Sequence, residues 1–356
     1  MRRFAVAAQA AAHLREVMKR WLPPLGLLMA GLNLLPACLF GAETAQAVTL
    51  TALPDRVRVE IAGQLFTEYV HGDGASRPYC YPILAVDGQG LTRDFPMKQT
   101  PGEDRDHPWH RSLWFAHSMV NGVDFWNEAG GDMGKSPKEK GRTVSVGLVE
   151  TTSGAIGVLR ARNHLVAPDG RLICRDERTL RFHGTATGRF IDYEVTLRAL
   201  PDAPLLLGDN KDGTMAIRLA QWMTLPHQYL KRQLPGNGHI VTATGARDAA
   251  AWGQRAPWCD FYAPHAGKVY GVAIFDHPQN LRHPTWWMAR GYGLFAANPF
   301  GQHDFEGRKD QPHLGDYTIP AGGHLTLRYR FYFHLGNETE AQVAAHYAEY
   351  AAGNNF

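Results

Sequence analysis

The sequence predicts an all-β fold: a large antiparallel β-sandwich, with one helix at the C-terminus and a short helix near residues 108–117. Three observations carry this. Several long segments alternate apolar and polar residues with period two, as half-buried antiparallel strands do. Turn-forming residues recur at short intervals, with 37 Gly and 22 Pro among 356 residues. Helical periodicity is confined to two short stretches.

Residues 1–47 read as an export signal outside that fold. Arg15, Lys19 and Arg20 precede the uncharged, apolar Trp21–Phe40, and Ala45-Gln46-Ala47 has the small-x-small form of a cleavage site. Met18 offers an alternative start, and Leu35-Pro36-Ala37-Cys38 an alternative lipobox that would anchor Cys38. The remainder, 48–356, is expected to be a single β-sandwich domain in the periplasm or outside the cell. The leader holds Arg2, Arg3, Arg15, Lys19 and Arg20 against Glu16 and Glu43. Of 37 Lys+Arg and 34 Asp+Glu, 32 and 32 therefore remain. A balanced domain without a basic run is not a nucleic-acid binder. No second apolar span follows the leader, so no membrane span is expected in the mature chain. Cys80, Cys174 and Cys259 are too few for a disulfide framework; one bridge or buried thiols fit equally.

Along the chain, Val144–Val149 is a first strand, and two runs between Ala155 and Phe182 flank the turn Ala167-Pro168-Asp169-Gly170. From Phe190 to Ala199, the residues Ile191, Tyr193, Val195, Leu197 and Ala199 share one face. Thr214–Trp222 and Val269–Phe275 add strands, and Leu325, Leu327, Tyr329, Phe331 and Phe333 alternate in the last one. Glu338–Ala352 carries the 3.6 period and ends at Gly353, as a capping helix would. The short helix starts at Pro108 with Asp106 as N-cap. Gly130–Gly141, 234–239 and 298–306 read as loops. No dinucleotide loop, P-loop, H-E-x-x-H or G-x-S-x-G occurs, which argues against nucleotide-dependent dehydrogenases, kinases, zincin proteases and α/β-hydrolases.

Two distant clusters concentrate imidazoles and indoles: Asp106-His107-Pro108-Trp109-His110-Arg111 through His117, and Asp276-His277-Pro278 through Arg282-His283-Pro284-Thr285-Trp286-Trp287. Imidazole exchanges protons near neutral pH, and indole faces stack on sugar rings. His107, His110, His277, His283 and Glu306 are the candidate catalytic groups. Trp109, Arg111, His117, Trp126, His239, Trp286, Asn298 and His303 are the candidate substrate-binding groups. On a helix, His107, His110 and His117 would lie at about 0°, 300° and 280°, on one side, and could hold a divalent metal. Any one histidine is more often a loop or core group. Proline after His107 and His277 pushes each towards extended backbone. Trp286 and Trp287, adjacent on a strand, must point to opposite faces.

Four motifs, Arg77-Pro78-Tyr79, Asp106 through Trp114, Asn121-Gly122-Val123-Asp124-Phe125-Trp126 and Asn298-Pro299-Phe300-Gly301, resemble a bacterial family labelled "PmoA family" or "methane oxygenase PmoA". The resemblance implies a secreted β-sandwich protein and supplies no active-site residues. A looser architectural resemblance is to the galactose-mutarotase-like supersandwich. It implies a histidine acid and a carboxylate base on a concave sheet face. The expected function is an extracytoplasmic carbohydrate-active protein, using histidine acid–base chemistry on a sugar as an epimerase, hydrolase or lyase. A non-catalytic carbohydrate-binding module and a histidine-ligated metal enzyme are the alternatives.

Overall fold

Two eight-stranded antiparallel sheets pack face to face in the computed structural model, which describes residues 45–128, 139–229 and 232–353. Most of the expected leader (1–44) and most of the expected loop 130–141 (residues 130–138) lie outside the described residues. In spatial order the first sheet is β1 (Val48–Ala52), β2 (Arg56–Ile61), β3 (Gln64–Val70), β4 (Tyr79–Cys80), β5 (Leu113–His117), β11 (Gly213–Arg218), β18 (Leu294–Asn298) and β17 (Trp286–Ala289). The second is β14 (His239–Thr242), β15 (Trp258–His265), β16 (Lys268–Asp276), β20 (His324–Leu335), β9 (Gly188–Arg198), β8 (Leu172–Gly184), β7 (Gly157–Val166) and β6 (Arg142–Thr152). Two short ladders join β10 (Leu205–Leu207) to β19 (Tyr317–Ile319) and β12 (His227–Tyr229) to β13 (Arg232–Leu234). The helices are α1 (Gln302–Phe305) and α2 (Val343–Ala351).

Period-two patterning sets which side chains meet between the sheets. Ile191, Tyr193, Val195 and Leu197 of β9 and Leu327, Tyr329, Phe331 and Phe333 of β20 enter one core. Leu113, Phe115, Met215, Ile217, Phe295 and Trp287 of the first sheet face them in that core. Each large apolar side chain withdrawn from water in this way stabilises the fold by about 1.5–3 kcal/mol. A buried ion pair ties the layers: Arg178 donates to Asp176 at 2.7 Å and to the Pro78 carbonyl at 3.4 Å. The expected hairpin is present, with Gly170 at φ +87° closing the turn from β7 to β8. Trp287 lies in the core, its indole N–H on Ala256 O at 2.9 Å, while Trp286 turns the other way beneath the Arg255 guanidinium. Cys80, Cys174 and Cys259 are buried free thiols.

Two expectations need correction. No helix forms at 108–117. Leu113–His117 is β5, whose backbone pairs with β4 on one side and β11 on the other, and this satisfies more polar groups than an isolated turn of helix can. His107 (φ +43°) and Ser112 (φ +53°) bracket a turn before it, so His107 is left-handed rather than extended. The C-terminal helix is shorter than 338–352. Asn337 Oδ1 accepts the N–H groups of Thr339 and Glu340 at 3.0 Å, and Gln342 at φ +52° starts the helix late. As expected it caps the sandwich: Val343 and Tyr350 pack with Phe190, Phe275 and Tyr332 on the outer face of the second sheet. Among the described residues no helix is long and apolar enough to cross a membrane.

Candidate active site on the outer face of the first sheet

A second apolar layer lies on the side of the first sheet that faces away from the core. Register places Tyr79, Trp114, Ala216, Ala296 and Met288 in one row across β4, β5, β11, β18 and β17. The two alanines keep the middle of the row low. Trp109 and Trp126, from loops, pack into the same cluster, and Trp114 and Trp126 meet at 5.2 Å.

Hydrogen bonds to backbone hold these loops. Arg77, 2 % exposed, donates to the Trp109 carbonyl at 2.9 Å and to the Trp126 carbonyl at 2.6 Å. One guanidinium thus pins both indole-bearing segments. Asp124 accepts the N–H groups of Trp126 and Asn127 at 2.9 and 3.1 Å, which sets the turn after Asn121-Gly122. Arg111 forks onto Glu128 at 2.9 and 3.0 Å beside the Tyr79 ring.

Above this floor stands a stack of rings. His110 lies over Trp114 at 5.3 Å, and His107 lies parallel to His110 at 4.7 Å. Tyr292 is parallel to His107 at 5.6 Å. His107 Nδ1 contacts the Asp106 carboxylate. Asp106 also accepts from Arg93 Nη1 at 2.6 Å and Arg218 Nη2 at 2.9 Å. Burial opposes ionisation of Asp106, but the hydrogen bond from His107 and the guanidinium charges of Arg218 and Arg93 hold its carboxyl far below the usual range. Arg93 Nη2 also grips the His107 carbonyl at 3.0 Å, which offsets part of the cost of its left-handed backbone.

The two imidazoles differ in environment. His110 is 1 % exposed and accepts from Arg218 Nη1 at 3.1 Å through Nδ1. Burial first, and then neighbouring His107 and Arg218, keep its pKa well below that of a free histidine, so it is neutral. The His107 side chain is 38 % exposed, and its Nε2 makes no hydrogen bond among the described residues. A rim of half-buried groups surrounds it: Tyr292, Trp252 against Phe305 of α1 at 5.0 Å, and Arg290, whose guanidinium lies 3.5 Å over the Trp252 ring. The indole N–H groups of Trp109 and Trp114 are buried without a partner among the described residues.

The structure brings His107, His110, Trp109 and Trp126 together, with Arg111 at the margin. It does not bring the second histidine cluster to them. His277 stands on the outer face of the second sheet with Asp192, Glu194, Arg328 and Tyr350, so the whole core separates it from His107. The repeated Asp-His-Pro also pairs differently: Asp276 binds His283 Nδ1 at 2.8 Å and the Thr285 N–H at 2.9 Å. That braces the loop where the chain crosses from β16 to β17. His117 points to the opposite side of β5 from Trp114, onto Gly208 O at 2.7 Å. The three imidazoles expected on one side are therefore split, and among the described residues no three His, Cys, Asp or Glu groups come together to hold a metal. Asn298 spends its amide on the Asn210 and Lys211 carbonyls at 2.9 Å and its oxygen on the Phe300 N–H at 2.8 Å, leaving nothing for a ligand. Trp286 is buried at the edge strand β17. His239 is exposed on edge strand β14, 3.8 Å from Asp248. His303, within α1, lies 2.7 Å from Asp209, and Glu306, at the end of α1, is exposed beside Gln302; Phe305 of the same helix reaches the rim.

Sequence reasoning missed Arg93, Arg218, Arg290, Trp252 and Tyr292. Two carried a signal. Arg218 ends the apolar run Met215-Ala216-Ile217, and Tyr292 sits between Gly291 and Gly293, an aromatic ring carried on a turn.

The fold and site define an all-β sandwich protein with a layer of aromatic and imidazole rings on one outer sheet face. Residues 56–348 match the model of a family of unknown function (DUF6807), and the chain belongs to that family. No curated protein matches it. Among solved structures, an alpha-galactosidase from Lactobacillus brevis aligns at 8 % identity and TM-score 0.36, over 82 % of this chain and 39 % of that one. A beta-arabinopyranosidase aligns at 9 % identity and TM-score 0.30, over 82 % and 38 %. The chain thus spans under two fifths of the length of either protein. The Slr1438 protein of Synechocystis sp. PCC 6803 aligns at 11 % identity and TM-score 0.30, over 83 % and 96 %. Likeness at this level fixes no activity.

Proposed function

We propose that the surface around His107 binds a sugar or modified sugar and that His107 acts on it as the acid–base group, in an epimerase, hydrolase or lyase. The observation that carries this is the Asp106–His107 pair: a half-exposed imidazole whose inner nitrogen rests on an ionised carboxylate while its outer nitrogen is free. Asp106 fixes the proton of the neutral ring on Nδ1 and leaves the Nε2 lone pair to take a proton from a hydroxyl. Once protonated, the same nitrogen returns a proton to a ring or leaving oxygen. Arg290 covers one face of Trp252, and Arg218 and His107 lie against Tyr292, so the half-exposed remainder of these rings would meet the C–H side of a pyranose. Neutral His110 stiffens the stack without competing for the proton. Residues 1–47 would direct the protein to the periplasm or the exterior, where polysaccharide fragments are met.

The test is a panel of mono- and oligosaccharides, read for binding by ligand-detected NMR and for turnover by product NMR. His107→Asn should abolish turnover and keep binding within a few fold. Binding without turnover by the unmodified protein would reduce the site to a binding module. No binding across the panel would end the proposal.

A further inference from the structure

The proposed sugar site holds a cation that its own carboxylate cannot neutralise. Asp106 is already shared by His107, Arg93 and Arg218. Asp212, a second carboxylate in this neighbourhood, is already paired with Lys211 at 3.3 Å. The Arg290 guanidinium makes no ion pair or hydrogen bond among the described residues. It is half-buried and stacked 3.5 Å over Trp252, which packs with Tyr292 against the same apolar layer. Stacking leaves the guanidinium edge, with its fork of N–H groups, as the part that can meet a ligand. Tyr292, two residues on from Arg290, lies parallel to His107, which puts Arg290 on the same aromatic rim as the proposed acid–base group.

We infer that the sugar is acidic, and that Arg290 selects it by gripping an anionic group borne on the ring, a carboxylate or a sulfate, while His107 addresses a neighbouring carbon or oxygen. This rests on the sugar-site reading above and narrows it to a substrate class. A planar carboxylate suits the fork best, because two parallel N–H···O bonds form at once. A neutral sugar would leave the guanidinium with water and gain nothing from it. Arg290 is therefore a specificity residue, not a proton-transfer group.

The experiment measures dissociation constants of galacturonate, glucuronate, trigalacturonate and glucose 6-sulfate against galactose, glucose and the methyl ester of galacturonate, using the purified protein and its R290Q and R290K forms. Acidic sugars should bind about tenfold or more tighter than their neutral counterparts, as a charge-assisted pair implies. R290Q should reduce that ratio towards one. R290K, a point charge without a fork, should retain part of it and favour sulfate over carboxylate. Circular dichroism and thermal melting of both variants exclude a folding defect. Equal binding of acidic and neutral sugars, or a ratio that R290Q leaves unchanged, overturns the inference and leaves the sugar site standing. Absence of binding by every sugar overturns both.

Discussion

His107 and His110 lie ring to ring, 4.7 Å between centroids and 3° from parallel, yet one is open to solvent and the other sealed beneath it. Two imidazolium charges at that separation repel, and His110 also sits against the Arg218 guanidinium. His110 therefore stays neutral.

That neutrality sets a pH dependence of stability. His110 has a folded pKa well below its unfolded value near 6.5, so the unfolded chain binds more protons between the two values. Its contribution is complete above pH 6.5 and is lost as pH falls beneath that value. Asp106 works lower: its folded pKa is depressed, so its contribution holds down to its unfolded value near 4 and fades only below. Thermal melts from pH 7.5 to 4.5 should show a fall that His110→Gln flattens, by up to about 1.4 kcal/mol per pH unit. An identical slope in the variant would refute the assignment.

Asp106→Asn should be among the costlier single changes. It leaves Arg93 and Arg218, each 1 % exposed, without their shared carboxylate. Urea unfolding should show a loss of about 3–5 kcal/mol.

Arg77→Met should loosen both indole loops together. It strips hydrogen bonds from two buried carbonyls, at roughly 1–3 kcal/mol each. The measurement is hydrogen exchange at Trp109 and Trp126: both segments should gain exchange, while β9 and β20 should not.

The thiols provide a check on the core. Burial pushes Cys80 up to about 12 and raises Cys174 and Cys259 as well. Ellman's reagent at pH 8 should label none of these three in the native protein and all three in guanidinium chloride. Rapid native labelling of any one would contradict its burial.

How much of this was legible in the sequence depended on the range of the interaction. The alternation of β9 and β20 exposed the sandwich because period-two burial is written locally, residue by residue. The Asp106–His107 contact was partly legible because the two residues are neighbours. The expected union of His107 with His277 failed because sheet assignment is not local: β5 and β16 belong to different layers, and nothing in Asp276-His277-Pro278 marks which outer face it will occupy. The predicted helix at 108–117 failed for a related reason. A run that fits either periodicity is settled by its partners, here β4 and β11, which lie far along the chain. Arg93 and Arg218 were invisible as site residues since their meaning lies in sharing one acidic group across more than a hundred positions.

The paired alanines of the first sheet, Ala216 beside Ala296, are fully buried and set how close the indole layer lies to the sheet. That closeness is written in missing methylenes. Valine or leucine at either place would have to lift the rings packed above it, and with them the stacked imidazoles. The standing of His107 above the sheet is thus set partly by its plainest residues.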